Sequence, residues 1–241
     1  MSLDAQTHAL LTAVARRSAA ETDGSAYDIL EAVGEFAQER GIPASAAEME
    51  HLADAAAVEH TAARFVAEGY AAFDEVCEDV TTTMAEEEQI TLAPATVQAI
   101  VAAAWDARLQ EQRTWPDVTD NDRLARAFDD LEASGIVARE DFTCCAQCAA
   151  NEIDDEIRPG SAPEGYVYFH NQDTQRAVEG GPLLLGFGSF VAAGHPDYPA
   201  LSRTVGTRVM AALSAHGLTA DWDGDPGRRI AVTLAWRKRL P

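Results

Sequence analysis

Apolar side chains recur every three or four residues through the first half of the chain, which is the spacing of helices with one buried face. One predicted helix carries its apolar face on Tyr27, Leu30, Val33 and Phe36. It ends at Gly41 and Pro43, and the next helix begins at a capping box formed by Ser45 and Glu48. We therefore predict a helical N-terminal region over residues 1–112.

The pattern changes near Trp115, where short apolar runs begin to alternate with helical stretches. The predicted strands are residues 136–142, 166–170 and 183–190, followed by a hairpin of residues 218–222 and 230–236. Strands separated by helices are usually joined by right-handed crossovers. Residues 113–241 are therefore predicted to form an α/β domain with a mostly parallel sheet and a terminal antiparallel β-hairpin. An α+β arrangement of the same elements is the alternative.

Three of the four cysteines, Cys144, Cys145 and Cys148, lie within five residues directly after the first predicted strand. Thiolates bind soft metals and exchange disulfides, and both uses need sulfurs only a few ångströms apart. Ligands of open parallel sheets bind beyond the carboxyl ends of the strands. His170 and Asp173 follow the carboxyl end of the second predicted strand, so the sequence predicts that they lie near the three thiols.

The first hypothesis for these residues is a metal site, with zinc as the metal. Cys145 and Cys148 have the spacing of a zinc knuckle, and Cys144 supplies a third thiolate. His170 or Asp173 would complete a tetrahedron. The sequence has no second Cys-x-x-Cys pair, so the signal is weaker than that of a four-cysteine zinc site.

The second hypothesis is thiol–disulfide exchange between Cys145 and Cys148. A strand, then Cys-x-x-Cys at a helix start, then another strand and helix is the order of a thioredoxin-like unit. Pro182 lies directly before the third predicted strand, where that fold has its cis-proline. The aromatic-Cys-Gly-Pro-Cys sequence of that fold is missing here. Reduced cysteines that pack at a turn without a chemical role are the remaining interpretation.

The net charge of −22 changes which partners the chain is expected to have. Nucleic-acid binding needs clustered Lys and Arg, and the only dense basic stretch is Arg237-Lys238-Arg239. We therefore predict no nucleic-acid partner. The third functional hypothesis is a non-catalytic interaction module, in which the acidic helical half binds a basic protein.

No apolar run reaches the length of a membrane span, and residues 1–5 lack the basic and apolar regions of a signal peptide. The expectation is a cytoplasmic protein without a membrane partner, in which the cysteines stay reduced. The sequence contains neither a Gly-x-x-x-x-Gly-Lys phosphate loop nor a dinucleotide loop, so no nucleotide cofactor is expected.

Four stretches of the chain resemble an actinobacterial family of uncharacterised proteins, a domain of unknown function. These stretches are residues 115–124, 142–148, 166–174 and 222–224, and they include Phe-Thr-Cys-Cys-x-x-Cys and Phe-His-x-Gln-Asp-Thr. The resemblance implies a domain from about residue 60 to the C-terminus. It also implies a site made of Cys144, Cys145, Cys148 and His170, with Gln172 and Asp173 supporting the ligands. Ala149 stands where that family usually has glycine.

Overall fold

The structure is a computed structural model that describes residues 3–90, 93–191 and 194–241. It divides into two compact units, one formed by Met1–Arg113 with Leu240–Pro241 and the other by Thr114–Arg239. We call them the helical unit and the α/β unit. Within the described ranges, no helix is both long enough and apolar enough to cross a membrane.

The helical unit is built from helices whose apolar faces pack together. Its described helices are α1 (Ala5–Glu21), α2 (Ala26–Glu39), α3 (Ala46–Glu68), α4 (Phe73–Glu86) and α5 (Pro94–Gln112). The predicted capping box is confirmed, because Ser45 N–H donates to Glu48 Oε2 at 2.9 Å and Glu48 N–H donates to Ser45 Oγ at 3.3 Å. Leu11 and Val33 are fully buried, and buried alanines such as Ala57 let the helices approach closely.

The fourth cysteine, Cys77, lies on α4 and is half-buried against the apolar core of the helical unit. Burial raises the pKa of its thiol, and the nearby Asp74 carboxylate adds to the shift. Cys77 is therefore a packed thiol with little tendency to ionise, which makes it an internal reference for the other three cysteines.

The α/β unit alternates helices with short strands, as the sequence pattern predicts. In chain order its elements are α6 (Asp120–Ala133), β1 (Ile136–Arg139), α7 (Ala146–Glu152), a 3₁₀ turn (Ile153–Glu156), β2 (Gly165–Tyr168), α8 (Asn171–Val178), β3 (Leu183–Ser189), α9 (Tyr198–Ala215), β4 (Thr219–Asp221) and β5 (Ile230–Thr233).

The five strands form one open sheet with the order β1-β2-β3-β5-β4. The β1–β2 pair is parallel, and the other three neighbouring pairs are antiparallel. The prediction of a mostly parallel sheet is therefore wrong, whereas the terminal β4–β5 hairpin is confirmed. The reason lies in α8, whose eight residues stay at the carboxyl end of β2 instead of running back along the sheet, so that β3 enters from that same end.

The sheet is covered on both faces. On one face α9 packs closely against the sheet, with Val205 beside Gly165 of β2 and Gly206 beside the Phe187 ring of β3. The other face carries α7 and the 3₁₀ turn, where Val137, Ala149, Ile153 and Tyr168 form a small apolar cluster. Packing of α7 against this second face fixes the helix that carries Cys148.

Candidate metal centre

The loop between β1 and α7 carries the cysteines. Cys145 is the N-cap residue of α7, and Cys148 lies in the first turn of that helix. Cys144 is exposed, whereas Cys145 and Cys148 are partly covered. Ala149, the position at which the resemblance implies glycine, is fully buried inside α7. The local structure therefore presents three sulfurs at a helix start whose far side is anchored on the sheet.

The three sulfurs form one compact group. All three Sγ atoms lie within 4.8 Å of one another, and Cys144 Sγ and Cys148 Sγ are 3.5 Å apart. Among the His, Cys, Asp and Glu residues that the structure describes, this is the group whose ligand atoms are close enough to share a metal ion. His170 is not a member of the group, so its expected place beside the thiols as a ligand remains a prediction.

Cys145 and Cys148 differ in their affinity for protons. The backbone N–H groups of Cys148 and Gln147 face the Cys145 sulfur and lower the pKa of that thiol, and the thiols of Cys144 and Cys148 add to this effect. The side chains of Cys144 and Cys145 raise the pKa of Cys148 to about 12. Cys145 therefore gives up its proton more readily than Cys148.

The backbone that leads into the cysteines has an unusual conformation. Asp141 has a φ angle of 46° and Thr143 has a φ angle of 61°, both in the left-handed region that glycine prefers. Aspartate tolerates this region, but threonine is β-branched and is strained there. A residue held in such a conformation requires surrounding contacts that keep it in place.

His170 and Asp173 form a buried pair at the start of α8. His170 is 4% exposed and Asp173 is fully buried, and His170 Nδ1 lies 3.1 Å from Asp173 Oδ2. This contact lacks hydrogen-bond geometry, since His170 Nδ1 has no hydrogen-bond partner. Burial lowers the pKa of His170, although the Asp173 carboxylate opposes the shift. The imidazole is therefore neutral at physiological pH.

Asp173 is neutralised by arginine rather than by histidine. Arg229 donates from both terminal nitrogens to the Asp173 carboxylate, with Nη1 at 2.9 Å from Oδ1, and Arg176 Nη1 lies 3.5 Å from the same oxygen. The backbone N–H of His170 also donates to Asp173 Oδ2 at 3.2 Å. Asp173 therefore caps α8 and ties it to the residue that precedes β5. Gln172, by contrast, is exposed.

The predicted meeting of the two loops at one edge of the sheet has a structural basis. β1 and β2 are neighbours and parallel, so residues 140–145 and 169–174 leave the sheet at the same end. Phe142 N–H donates to the Phe169 carbonyl at 2.8 Å, and Asn171 N–H donates to the Thr143 carbonyl at 3.1 Å. The segments that carry the cysteines and the His-Asp pair are therefore directly hydrogen-bonded through their backbones.

The thioredoxin-like topology is not found. The peptide bond before Pro182 is trans, and β3 lies beside β2 rather than beside the strand that leads into the cysteines. A proline at the start of β3 therefore does not face the cysteine loop in the way that this fold requires. The difference in topology leaves open the chemistry of the sulfurs.

Sequence reasoning missed three residues that shape this region. Arg229 gives only a weak signal, a basic residue beside the last predicted strand of a very acidic chain. Asp141 and Thr143 give none, because a left-handed conformation at a non-glycine residue results from tertiary contacts.

Comparison with known proteins identifies one related group. Residues 49–240 match the family model described as a domain of unknown function (DUF6891), and this range includes the whole cysteine loop. Neither the curated proteins nor the solved structures contain a significant match to the chain.

Proposed function

Since the chain belongs to the DUF6891 family of unknown function, we propose a function from its own site: Cys144, Cys145 and Cys148 bind a thiophilic metal ion, with zinc the favoured ion. The observation that carries this proposal is the grouping of the three Sγ atoms within 4.8 Å. Thiolate ligands favour zinc and other soft ions over magnesium or calcium, which prefer oxygen.

The spacing of the sulfurs suits such an ion. Thiolates bound tetrahedrally at the usual zinc–sulfur distance of about 2.3 Å stand about 3.8 Å apart. The 3.5 Å between Cys144 and Cys148 and the 4.8 Å limit for the whole group bracket that value. The sulfur–sulfur distances are therefore compatible with one shared ion.

A metal ion would displace the protons of the clustered thiols. The pKa of Cys145 is lowered, so this thiol is ready to act as a ligand, whereas the proton on Cys148 must be expelled before that sulfur can bind the ion. Three thiolates leave one position of a tetrahedral ion for water, a substrate atom or a further side chain. His170 is the sequence's candidate for that position.

The test combines metal content with a thiol count on one native sample prepared without chelator. We expect about one zinc ion per chain and three clustered thiols that react with a thiol reagent only after chelation, while Cys77 reacts slowly with and without chelator. Cys145→Ser should abolish the bound metal. Cys77→Ser is the matched control, since that thiol packs against the core of the helical unit and is not a member of the group of three. Metal-free protein in which all three clustered thiols react freely would refute the proposal.

Thiol–disulfide exchange is the second candidate, and the 3.5 Å approach of Cys144 and Cys148 favours it. In this reaction two thiols lose two electrons and two protons to a disulfide or peroxide, and one S–S bond forms. The lowered pKa of Cys145 suits an attacking thiolate. Peptide mapping after mild oxidation would show which pair forms, Cys144–Cys148 or the Cys145–Cys148 pair of the sequence motif. Failure of both to form reversibly would exclude this use.

A further inference from the structure

The stretch from His170 to Thr174 has a role that ligand binding does not explain. The sequence predicts His170 or Asp173 as a metal ligand, yet Asp173 is fully buried in an ion pair with Arg229, and Thr174, for which no ligand role is expected, is fully buried as well. These buried groups contact the cysteine loop on one side and the residue before β5 on the other. Together their contacts link the loop to the sheet.

The first contacts fix the two left-handed residues before the cysteines. The Thr174 hydroxyl donates to Asp141 Oδ1 at 2.6 Å, and the Asn171 backbone N–H donates to the Thr143 carbonyl at 3.1 Å. Thr143 also donates from Oγ1 to the Cys145 carbonyl at 3.3 Å. Asp141 and Thr143 are thus both held by α8. Thr143 is also hydrogen-bonded to Cys145, the N-cap residue of α7.

The next contacts fix α8 itself. The buried carboxylate of Asp173 accepts hydrogen bonds from the His170 backbone N–H and from two nitrogens of Arg229. Arg229 also donates to the Leu184 carbonyl of β3 and directly precedes β5. The start of α8 is therefore fastened to two strands of the sheet, which makes it a rigid support for the cysteine loop.

We propose that the Thr174–Asp141 hydrogen bond positions the cysteine loop, and that residues 171–174 support the thiol group without binding the ion. Without this bond, Asp141 loses a side-chain contact with α8, and the backbone hydrogen bonds of Phe142 and Thr143 remain to oppose the strain at Thr143, so the loop would relax more easily. The three sulfurs would then no longer be held within bonding range of one ion. The consequence for metal binding rests on the function proposed above, whereas the consequence for loop order does not.

The test compares Thr174→Val, which removes the hydroxyl at nearly constant shape, with Thr174→Ser, which keeps it. Thr204→Val is the matched control, because Thr204 is an exposed α9 residue whose hydroxyl donates to the Ala200 carbonyl. Two readouts are needed. One is the dissociation constant of Co²⁺, followed by the visible absorption of the cobalt–thiolate bonds. The other is hydrogen–deuterium exchange of residues 141–148 in metal-free protein.

We expect Thr174→Val to weaken Co²⁺ binding about 10- to 100-fold, the usual effect of removing a group that orients metal ligands. It should also speed exchange in residues 141–148 while leaving α9 unchanged. Thr174→Ser should restore both values, and Thr204→Val should alter neither. If the valine variant does not fold, Thr174→Ala removes the hydroxyl without placing a methyl group against the Asp141 carboxylate.

The outcomes test the positioning role of Thr174 separately from metal binding by the thiols. If wild-type protein binds no Co²⁺, the proposed function fails, and the exchange data alone decide on the positioning role. Unchanged exchange in residues 141–148 of Thr174→Val would overturn that role. Faster exchange throughout the α/β unit, including α9, would also overturn it, because Thr174 would then be an ordinary core residue. If Cys145→Ser abolishes binding but Thr174→Val leaves it unchanged, the metal site stands without this support.

Discussion

The two units of this protein bury different kinds of side chain. The core of the helical unit is almost entirely aliphatic, with a few buried polar residues, Ser18, Thr61 and Glu68, among those described. The α/β unit buries Thr119, Asn121, His170, Asp173, Thr174, Ser189 and Ser202. Buried polar groups cost stability unless they are paired, and paired ones fix a specific arrangement. The contrast indicates that specific chemistry is concentrated in the α/β unit.

The two units also differ in net charge. Residues 1–113 carry 21 acidic and 6 basic side chains, a net −15, whereas residues 114–241 carry 19 and 12, a net −7. In the α/β unit the extra arginines pair with carboxylates, and both Arg139 and Arg229 contact buried or half-buried acids. The helical unit has 6 basic side chains for 21 acidic ones, so most of its acidic charge is not balanced within the unit, which keeps open the hypothesis that this unit binds a basic protein.

The largest expected effect tests the buried ion pair of the α/β unit. Asp173→Ala should lower the free energy of unfolding by about 3 kcal/mol, the low end for breaking a buried pair, because the Arg229 side chain remains partly exposed. Glu59→Ala removes the exposed partner of Arg16 in the helical unit and should cost less than about 1 kcal/mol. Urea denaturation measures both. Equal costs would contradict the contrast between the units.

A smaller effect concerns pH. Cys148 holds its proton through the neutral range, since its pKa is raised to about 12, and metal binding must expel that proton. The metal-bound state therefore carries fewer protons, and the Co²⁺ association constant should rise with pH. The expected slope is about tenfold or more per pH unit. Competition titrations with a chromophoric chelator would measure it. A flat profile would show that the ion is bound by groups other than these thiols.

The smallest expected effect is that of Thr143→Gly, which should stabilise the protein rather than destabilise it. Thr143→Gly relieves a left-handed β-branched residue and should stabilise the metal-free fold by up to about 1 kcal/mol. The same change frees the loop and should weaken metal binding. Ala149→Gly places glycine inside α7 and should instead destabilise the protein by about 1 kcal/mol. Thermal unfolding with and without Co²⁺ checks both variants. Loss of stability in Thr143→Gly would show that the hydrogen bond from Thr143 Oγ1 to the Cys145 carbonyl outweighs the strain.

Local features of the fold could be predicted from the sequence. The capping box at Ser45 and Glu48, the terminal hairpin and the cysteine group all follow from residues close together in the chain. The direction of β3 could not be predicted, because it depends on whether α8 returns along the sheet or stays at its end. The pairing of Asp173 with Arg229 likewise joins residues far apart in sequence, and no local pattern specifies it.

The three candidate ligands lie within five residues of one another, whereas the groups that shape them come from later parts of the chain. An unfolded chain therefore offers metal the same three thiols as the folded one. Binding to both states reduces the stabilisation that a ligand gives to folding. A bound ion should thus raise the melting temperature by less than its affinity for the native protein implies, and much of the metal's preference for the folded state would come from the support given by α8.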